Sequence, residues 1–226
     1  MMTRANIAID GPAGAGKSTV AKKLAAELGY TYIDTGAMYR ALTWKVLQEQ
    51  ADPENESAVL HILQQMHLEL DMKNGNVFVT VDEKDVTDAI RQQDVTSLVS
   101  FTARHARIRS EMVEKQKKLA EKGGTVMDGR DIGTAVLPDA SFKFFLNATV
   151  EERAKRRHAE QLQKGMQSDL TQLQTEIAER DRIDSERETA PLKKADDALE
   201  VDTTAMTIDE VVSFLLGIVR EVKRYE

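Results

Sequence analysis

The chain of 226 residues contains no cysteine. That absence removes thiol nucleophiles, disulfide frameworks and cysteine-ligated zinc at once, and it suits a reducing compartment. No long apolar run is present either. The longest, Val211–Val219, is interrupted by Ser213 and Gly217 and falls far short of the roughly 20 residues that a spanning helix needs. The apolar segment after Arg4 ends at Asp10, so no secretory leader is read there. The expectation is a soluble, cytoplasmic protein without a membrane partner. An excess of basic charge is also missing. The 31 lysines and arginines face 38 carboxylates, a net −7. That argues against a protein that coats nucleic acid, a local basic cleft aside. Only Pro12, Pro53, Pro138 and Pro191 punctuate the chain, and no repeat or low-complexity tract is visible. The four histidines, His61, His67, His105 and His158, lack metal-ligand spacing and are read as neither ligands nor bases.

What is present is a globular composition. Apolar residues make up 41 % and charged residues 31 %, enough for a core without cross-links at this length. Asn6–Ile9 reads as a buried strand. Val20, Ala21, Leu24, Ala25 and Leu28 recur at helical spacing, and Gly29 follows as a C-terminal cap. A second strand is expected over Tyr30–Ile33 and a helix from about Ala37 to Gln50. Between about 67 and 82 the period changes. Leu68, Leu70 and Met72 alternate with polar residues, as do Val77, Val79 and Val81, and Asn74-Gly75 lies between them as a two-residue hairpin turn. Thr125–Met127, Phe142–Leu146 and Ala198–Val201 read as further strands. Thr149 to Glu152 and Thr207 to Glu210 read as capping boxes. They open a charged helix ending near Gly165 and an amphipathic closing helix, with another helix over about 169–186. Short apolar strands alternating with helices argue for an α/β fold, a parallel sheet with helices on both faces.

Gly11-Pro12-Ala13-Gly14-Ala15-Gly16-Lys17-Ser18 fits G-x-x-x-x-G-K-[ST], between an apolar strand and an amphipathic helix. A turn of this kind aims backbone N–H groups and a helix N-terminus at phosphate oxygens. Lys17 is suited to the β- and γ-phosphates and the Ser18 hydroxyl to Mg²⁺. The pattern reads as nucleoside triphosphate binding. No N-K-x-D guanine-reading motif accompanies it, so a GTPase is disfavoured, and a helicase or motor is usually larger.

Three further clusters carry phosphate-binding chemistry. Asp34-Thr35-Gly36-Ala37-Met38-Tyr39-Arg40 follows the second strand and offers a hydroxyl and a guanidinium fork. Asp128-Gly129-Arg130-Asp131 ends a buried strand, at the edge where open α/β sheets bind ligands. Arg180, Asp184 and Arg187 are spaced i, i+4, i+7, which would put them on one helix face. Each cluster alone also fits a plain turn or a solvated face. The charged helix 151–164, with Arg153, Lys155, Arg156 and Arg157, is read as solvated because acidic and basic residues alternate. Trp44 and Met38 are read as packing.

The glycine-rich loop, Asp34–Arg40, Asp128–Thr134 and Arg180–Arg187, in this order and spacing, resemble the bacterial cytidylate kinases, nucleoside monophosphate kinases of the P-loop class. The likeness runs from Ile7 to the terminal helix. It implies a three-layer P-loop kinase fold with a central parallel sheet (core about 1–58 and 96–226), an inserted monophosphate-binding subdomain with a β-hairpin (about 60–95) and a short helical lid (about 164–192). It implies ATP-dependent phosphorylation of CMP and dCMP with Mg²⁺. ATP binding falls to Gly11, Pro12, Ala13, Gly14, Ala15, Gly16, Lys17, Ser18 and Thr19, with Ser18 toward the metal. The acceptor pocket falls to Thr35, where the family often has Ser, and to Tyr39 and Arg40. Ser100 and Arg109 match the residues that read the cytosine edge, with Asp184. Asp131 and Arg180 match sugar contacts, Arg130 and Arg187 phosphate contacts. Lys17, Arg130, Arg180 and Arg187 are the expected catalytic cations. A monomer is implied, without a nucleic-acid partner. A kinase for UMP or AMP and a P-loop nucleotide sensor without transfer activity stay open at this point.

Overall fold

The computed structural model describes residues 4–73, 76–163 and 165–222. From the N-terminus, strand β1 (Ile7–Asp10) leads into helix α1 (Lys17–Leu28), and β2 (Thr31–Asp34) into α2 (Thr35–Gln48). Helix α3 (Glu56–Gln65), strands β3 (Leu68–Lys73), β4 (Asn76–Val81) and β5 (Lys84–Asp85), and helices α4 (Gln93–Ala103) and α5 (Ala106–Ala120) come next. The chain then forms β6 (Thr125–Gly129), β7 (Phe142–Asn147), α6 (Val150–Gln163), α7 (Leu170–Glu186), β8 (Leu199–Asp202) and α8 (Ile208–Val222).

Five parallel strands in the order β2-β6-β1-β7-β8 form the central sheet, and β3-β4-β5 form a separate antiparallel sheet. Helices cover the central sheet on both faces, which is why β1 and β6 are buried at every position and read as continuous apolar runs rather than alternating ones. Period-2 geometry still sorts their side chains. Ile7 and Ile9 pack with Val20, Leu24, Val211 and Leu215 of α1 and α8. Ala8, Met127 and Ile33 face the other way, toward Ile132, Val136 and Ala120 of α5. A further cluster joins α2, α3, α4 and α5 to Val79 and Val81 of the hairpin. The sheet register aligns Asp34 with Asp128 and Asp10 with Gly129. The carboxyl ends of three strands therefore bring three acidic side chains to one edge, ahead of any loop contribution.

Most element boundaries fall within two residues of expectation. Helix α2 starts at Thr35 rather than Ala37 because Asp34 caps it, accepting a hydrogen bond from the Ala37 amide at 2.8 Å. The alternating segments form a hairpin with Leu70 opposite Val79 and Met72 opposite Val77. Its expected Asn74-Gly75 turn lies outside the described residues. The Thr207–Glu210 box is reciprocal: the Thr207 amide donates to Glu210 Oε2 at 2.8 Å and the Glu210 amide to Thr207 Oγ1 at 3.3 Å. The Thr149 box closes on one side only, since the Glu152 carboxylate receives Arg156 instead. Among the described residues no helix is long and apolar enough to cross a membrane.

After β6 the chain makes a single π-helical turn, Ile132–Val136, a feature that often marks functional sites. It is pinned from below by Asp10, whose carboxylate accepts the Ile132 amide at 2.8 Å and the Gly133 amide at 2.7 Å. Burial nevertheless pushes the Asp10 carboxyl up to about 6. These two bonds fix Arg130 and Asp131 relative to the strand that feeds the glycine-rich loop.

Two glycines separate backbone strain from steric conflict. At Gly11 (φ +146°) a Cβ would run into the Leu146 carbonyl oxygen of the neighbouring strand. At Gly29 (φ +64°) it would meet nothing within 4 Å. Gly29→Ala should therefore cost only the left-handed conformation, about 1–2 kcal/mol. Gly11→Ala should cost about 3 kcal/mol or more, a fall in Tm of roughly 6–12 °C at about 2–4 °C per kcal/mol for a chain of this size. Thermal unfolding of the two variants, read side by side, checks the difference.

Candidate active site

The glycine-rich turn joins β1 to α1, with Gly16 as the N-terminal cap of the helix. Lys17 is buried and its ammonium donates to the Pro12 carbonyl at 2.6 Å, within the loop itself. Thr19, in contrast, is exposed on the first turn of α1. The Ser18 hydroxyl donates to Asp128 Oδ2 at 2.8 Å, while the buried Tyr32 phenol donates to Asp128 Oδ1 at 2.8 Å. Thr35 Oγ1 donates to the Asp128 carbonyl at 2.7 Å. Asp128 thus links α1, β2 and α2 at the end of β6. Burial, with Asp34 nearby, pushes its carboxyl up to about 6, and the same carboxylate raises the Tyr32 phenol further above its ordinary range after burial.

A second network lies beside it. Arg109 of α5 is almost fully buried, donates to the Ala103 carbonyl at 3.0 Å and pairs with Asp131 Oδ2. Its guanidinium lies over the Tyr39 ring, 5.4 Å from the centroid. Asp131 Oδ1 also faces Arg187 at 3.9 Å. Asp184 receives Arg130 at 2.9 Å and faces Arg187 at 3.8 Å. Burial would raise the Asp184 carboxyl, but Arg130, Arg180 and Arg187 hold it below its ordinary value. Arg187 is the first residue beyond α7 rather than part of its face, because the backbone there turns extended. Arg40 donates to Thr96 Oγ1 at 2.8 Å, a partner the sequence patterns do not reveal. Ser100 is buried on α4 and makes no hydrogen bond to this network among the described residues.

For the remaining cations nearby carboxylates do not make up for burial and like charge. Lys17 is pulled well below its ordinary value by burial and then by Arg130 and Arg180, against Asp128 and Asp10. Arg180 is lowered to about 9 by burial and Arg130, and Arg40 to about 10 by burial, with Arg91, Arg157 and Arg130 adding to it. Buried nitrogens of Arg180, Arg109 and Arg187 and the Tyr39 hydroxyl find no hydrogen-bond partner among the described residues. The depressed basicity of Lys17, Arg40 and Arg180 and the orphaned donors beside them describe a cationic cluster that an anion with several acceptor oxygens would satisfy.

The reading of helix 151–164 as solvated is overturned at two positions. Arg153 is 3 % exposed and bonded to the Ala148 and Ala13 carbonyls, both at 2.9 Å. Arg156 donates to the Thr203 carbonyl at 2.6 Å. Backbone carbonyls from distant segments, which no local charge pattern records, draw both side chains in. Arg157, on the same helix, is close enough to Arg40 and Arg180 to depress both and so joins the cationic group. Among the described residues no cluster of three His, Asp or Glu could hold a metal by itself. Ser18, next in sequence to the loop lysine, and Asp128 form a pair of oxygen donors that suits a Mg²⁺ ion completed by phosphates and water.

Comparison with known proteins agrees with this geometry. A family model described as cytidylate kinase matches residues 7–221. Curated proteins named cytidylate kinase from Bacillus cereus strain B4264 and Bacillus thuringiensis strain Al Hakam are 56 % and 55 % identical, each over 97 % of both chains. Among solved structures, a gluconokinase from Sinorhizobium meliloti shares the fold at 16 % identity, with a TM-score of 0.51, over 100 % of this chain and 97 % of that one.

The buried ion network makes a stability prediction. Asp131→Ala leaves Arg109 and Arg187 without their shared carboxylate, and losing one side of a buried pair costs about 3–5 kcal/mol. Arg182 pairs with Glu179 and Glu186 on the exposed face of α7, so Arg182→Ala should leave the unfolding midpoint within error. Urea unfolding of both variants tests the contrast.

Proposed function

The chain belongs to the cytidylate kinase family, and on that footing we propose that it transfers the γ-phosphoryl group of ATP to CMP and dCMP, giving ADP with CDP or dCDP. The observation that carries the reading is the convergence, at one sheet edge, of a phosphate-binding loop with cations whose basicity burial and mutual repulsion have lowered. Phosphoryl transfer asks for this arrangement and for little else from a protein.

In the proposed reaction Lys17 and the backbone of Gly11–Ser18, with Thr19 at the helix start, hold the triphosphate. Thr35, Tyr39 and Arg40 border the acceptor phosphate. Ser100 and Arg109, with Asp184, read the cytosine edge, and Asp131 and Arg180 the sugar. Arg130, Arg180 and Arg187, with Lys17, balance charge on the moving phosphoryl group. An oxygen of the acceptor phosphate forms a bond to the γ-phosphorus, the bond to the β–γ bridging oxygen breaks, and ADP leaves with that electron pair. A phosphate monoester has its second pKa at roughly 6, so the attacking oxygen is already deprotonated at neutral pH and no general base is assigned. Ser18 and Asp128 would hold Mg²⁺, which supplies charge neutralisation of the phosphates when bound.

The domain proposal follows the same logic. The core takes about 1–58 and 96–226, the monophosphate-binding insertion about 60–95 and the lid about 164–192. Closure of the last two over the substrates would keep water from competing with the acceptor. The proposed form is a monomer acting in the cytoplasm.

A coupled ADP-release assay with Mg·ATP tests the proposal against CMP, dCMP, UMP, AMP and GMP, each beside a blank without acceptor. Turnover with CMP and dCMP, weak turnover with UMP and none with AMP or GMP is expected. Turnover without acceptor, or with a purine nucleotide only, would overturn the acceptor assignment. Arg109→Met should lower kcat/KM for CMP by roughly 100-fold, the loss of a charge-assisted hydrogen bond of about 3 kcal/mol, with ATP binding unchanged. An unchanged CMP rate would remove Arg109 from base reading.

A further inference from the structure

Arg153, in the first turn of α6, sends its three nitrogens to three separate segments. Nε donates to the Ala148 carbonyl beyond β7, and Nη1 to the Ala13 carbonyl inside the glycine-rich loop, both at 2.9 Å. Nη2 pairs with Asp181 Oδ2 of α7 at 2.6 Å. Asp181 lies next to Arg180 and one turn before Asp184, on the helix that ends at Arg187. One planar guanidinium therefore bridges the loop that would hold the donor phosphates and the helix that presents the acceptor-side arginines.

We propose that Arg153 and Asp181 form a positioning pair that transmits nucleotide binding in the glycine-rich loop to α7, and so sets Arg180 and Arg187 for the transfer. Neither residue needs to touch a substrate. The guanidinium fork is rigid, so when the Ala13 carbonyl shifts and Nη1 follows, Nη2 turns with it. Asp181 cannot simply let go. Its Oδ1 is buried and has no hydrogen-bond partner among the described residues, and Arg153 is its ion-pair partner. Separation would leave a poorly solvated carboxylate without compensation, so α7 is expected to follow Arg153. The Ala148 bond supplies the fixed point, because that carbonyl belongs to the segment leaving the central sheet.

The test compares the full-length protein with Asp181→Asn by amide hydrogen exchange, with and without ATP. In the wild type, ATP should slow exchange both in residues 11–19 and in α7. In Asp181→Asn the loop protection should persist, while the protection gained by α7 should fall at least fivefold. With CMP as acceptor, an arm that rests on the proposed kinase reading, kcat should fall at least tenfold while KM for ATP and CMP stays within threefold. Asp181→Glu should recover part of it. Arg153→Lys keeps the charge and loses the fork; it should show the same uncoupling, and it decides the matter if Asp181→Asn does not fold. An α7 that ATP protects equally in wild type and variant, or an α7 that ATP leaves unchanged in the wild type, would overturn the pair's role. So would an unchanged kcat. Coupled exchange in a wild type that turns over neither CMP nor dCMP would uphold the link and overturn the kinase reading alone.

Discussion

Like charges crowd the carboxyl edge of the central sheet, and much of the molecule is arranged to tolerate them. Burial and neighbouring cations, Arg130 among them in each case, depress the basicity of Lys17, Arg40 and Arg180. Two carboxylates, Asp131 and Asp184, compensate part of the group by pairing with Arg109, Arg130 and Arg187. The compensation is uneven, and the unevenness carries information. Arg109 is matched with a carboxylate and an aromatic face on the side proposed for the base and sugar, which bring little charge. Lys17, Arg40 and Arg180 are left short on the side proposed for the phosphates, which bring a great deal. A site that was neutral throughout would gain little from binding a polyanion; this one relieves its own repulsion by doing so.

The frame around these charges is held in two different ways. On the sheet side the supports are short bonds to main chain or to fixed neighbours. Asp128 accepts Ser18 and Tyr32 while its carbonyl accepts Thr35, and Asp10 holds the π-helical turn by two amides. On the α7 side the links to the site are ion pairs between long side chains: Arg130 with Asp184, Arg153 with Asp181, and Arg187 with Asp131. A guanidinium on a flexible stem can keep its carboxylate while the backbones at the two ends shift, whereas an amide lodged on a buried carboxylate cannot. The fold thus pairs a fixed donor edge with an adjustable helix, which is the division of labour that in-line transfer with exclusion of water requires.

What the sequence made legible was whatever a local period or a short motif can state. The strand before Gly11, the helix after it and the alternation of Leu68–Val81 are properties of neighbouring residues, and each element is in place. So is the clustering of Arg130 and Asp131 at a strand end. Ser100 and Arg109 were reachable only through the family resemblance, since nothing in the spacing of α4 and α5 distinguishes them from packing residues.

The rest depended on partners far away along the chain. Arg153 stands among alternating charges, and that pattern ordinarily means a solvated face. Its burial comes from the Ala13 carbonyl, 140 residues earlier, and from Asp181 on the next helix. Asp128 gains its role from Ser18, 110 residues earlier, and Arg40 is held by Thr96, 56 residues later. Glu152 shows the same competition at short range: it completes the spacing of a capping box, yet Arg156 one turn on takes its carboxylate. A charged residue is legible when its partner is a ligand that the motif itself announces. It is not legible when the partner is a backbone carbonyl, because every residue has one and only the fold decides which carbonyl arrives. In this molecule Arg153 is missed for that reason, and it is the residue that ties the loop, the segment leaving the sheet and α7 together.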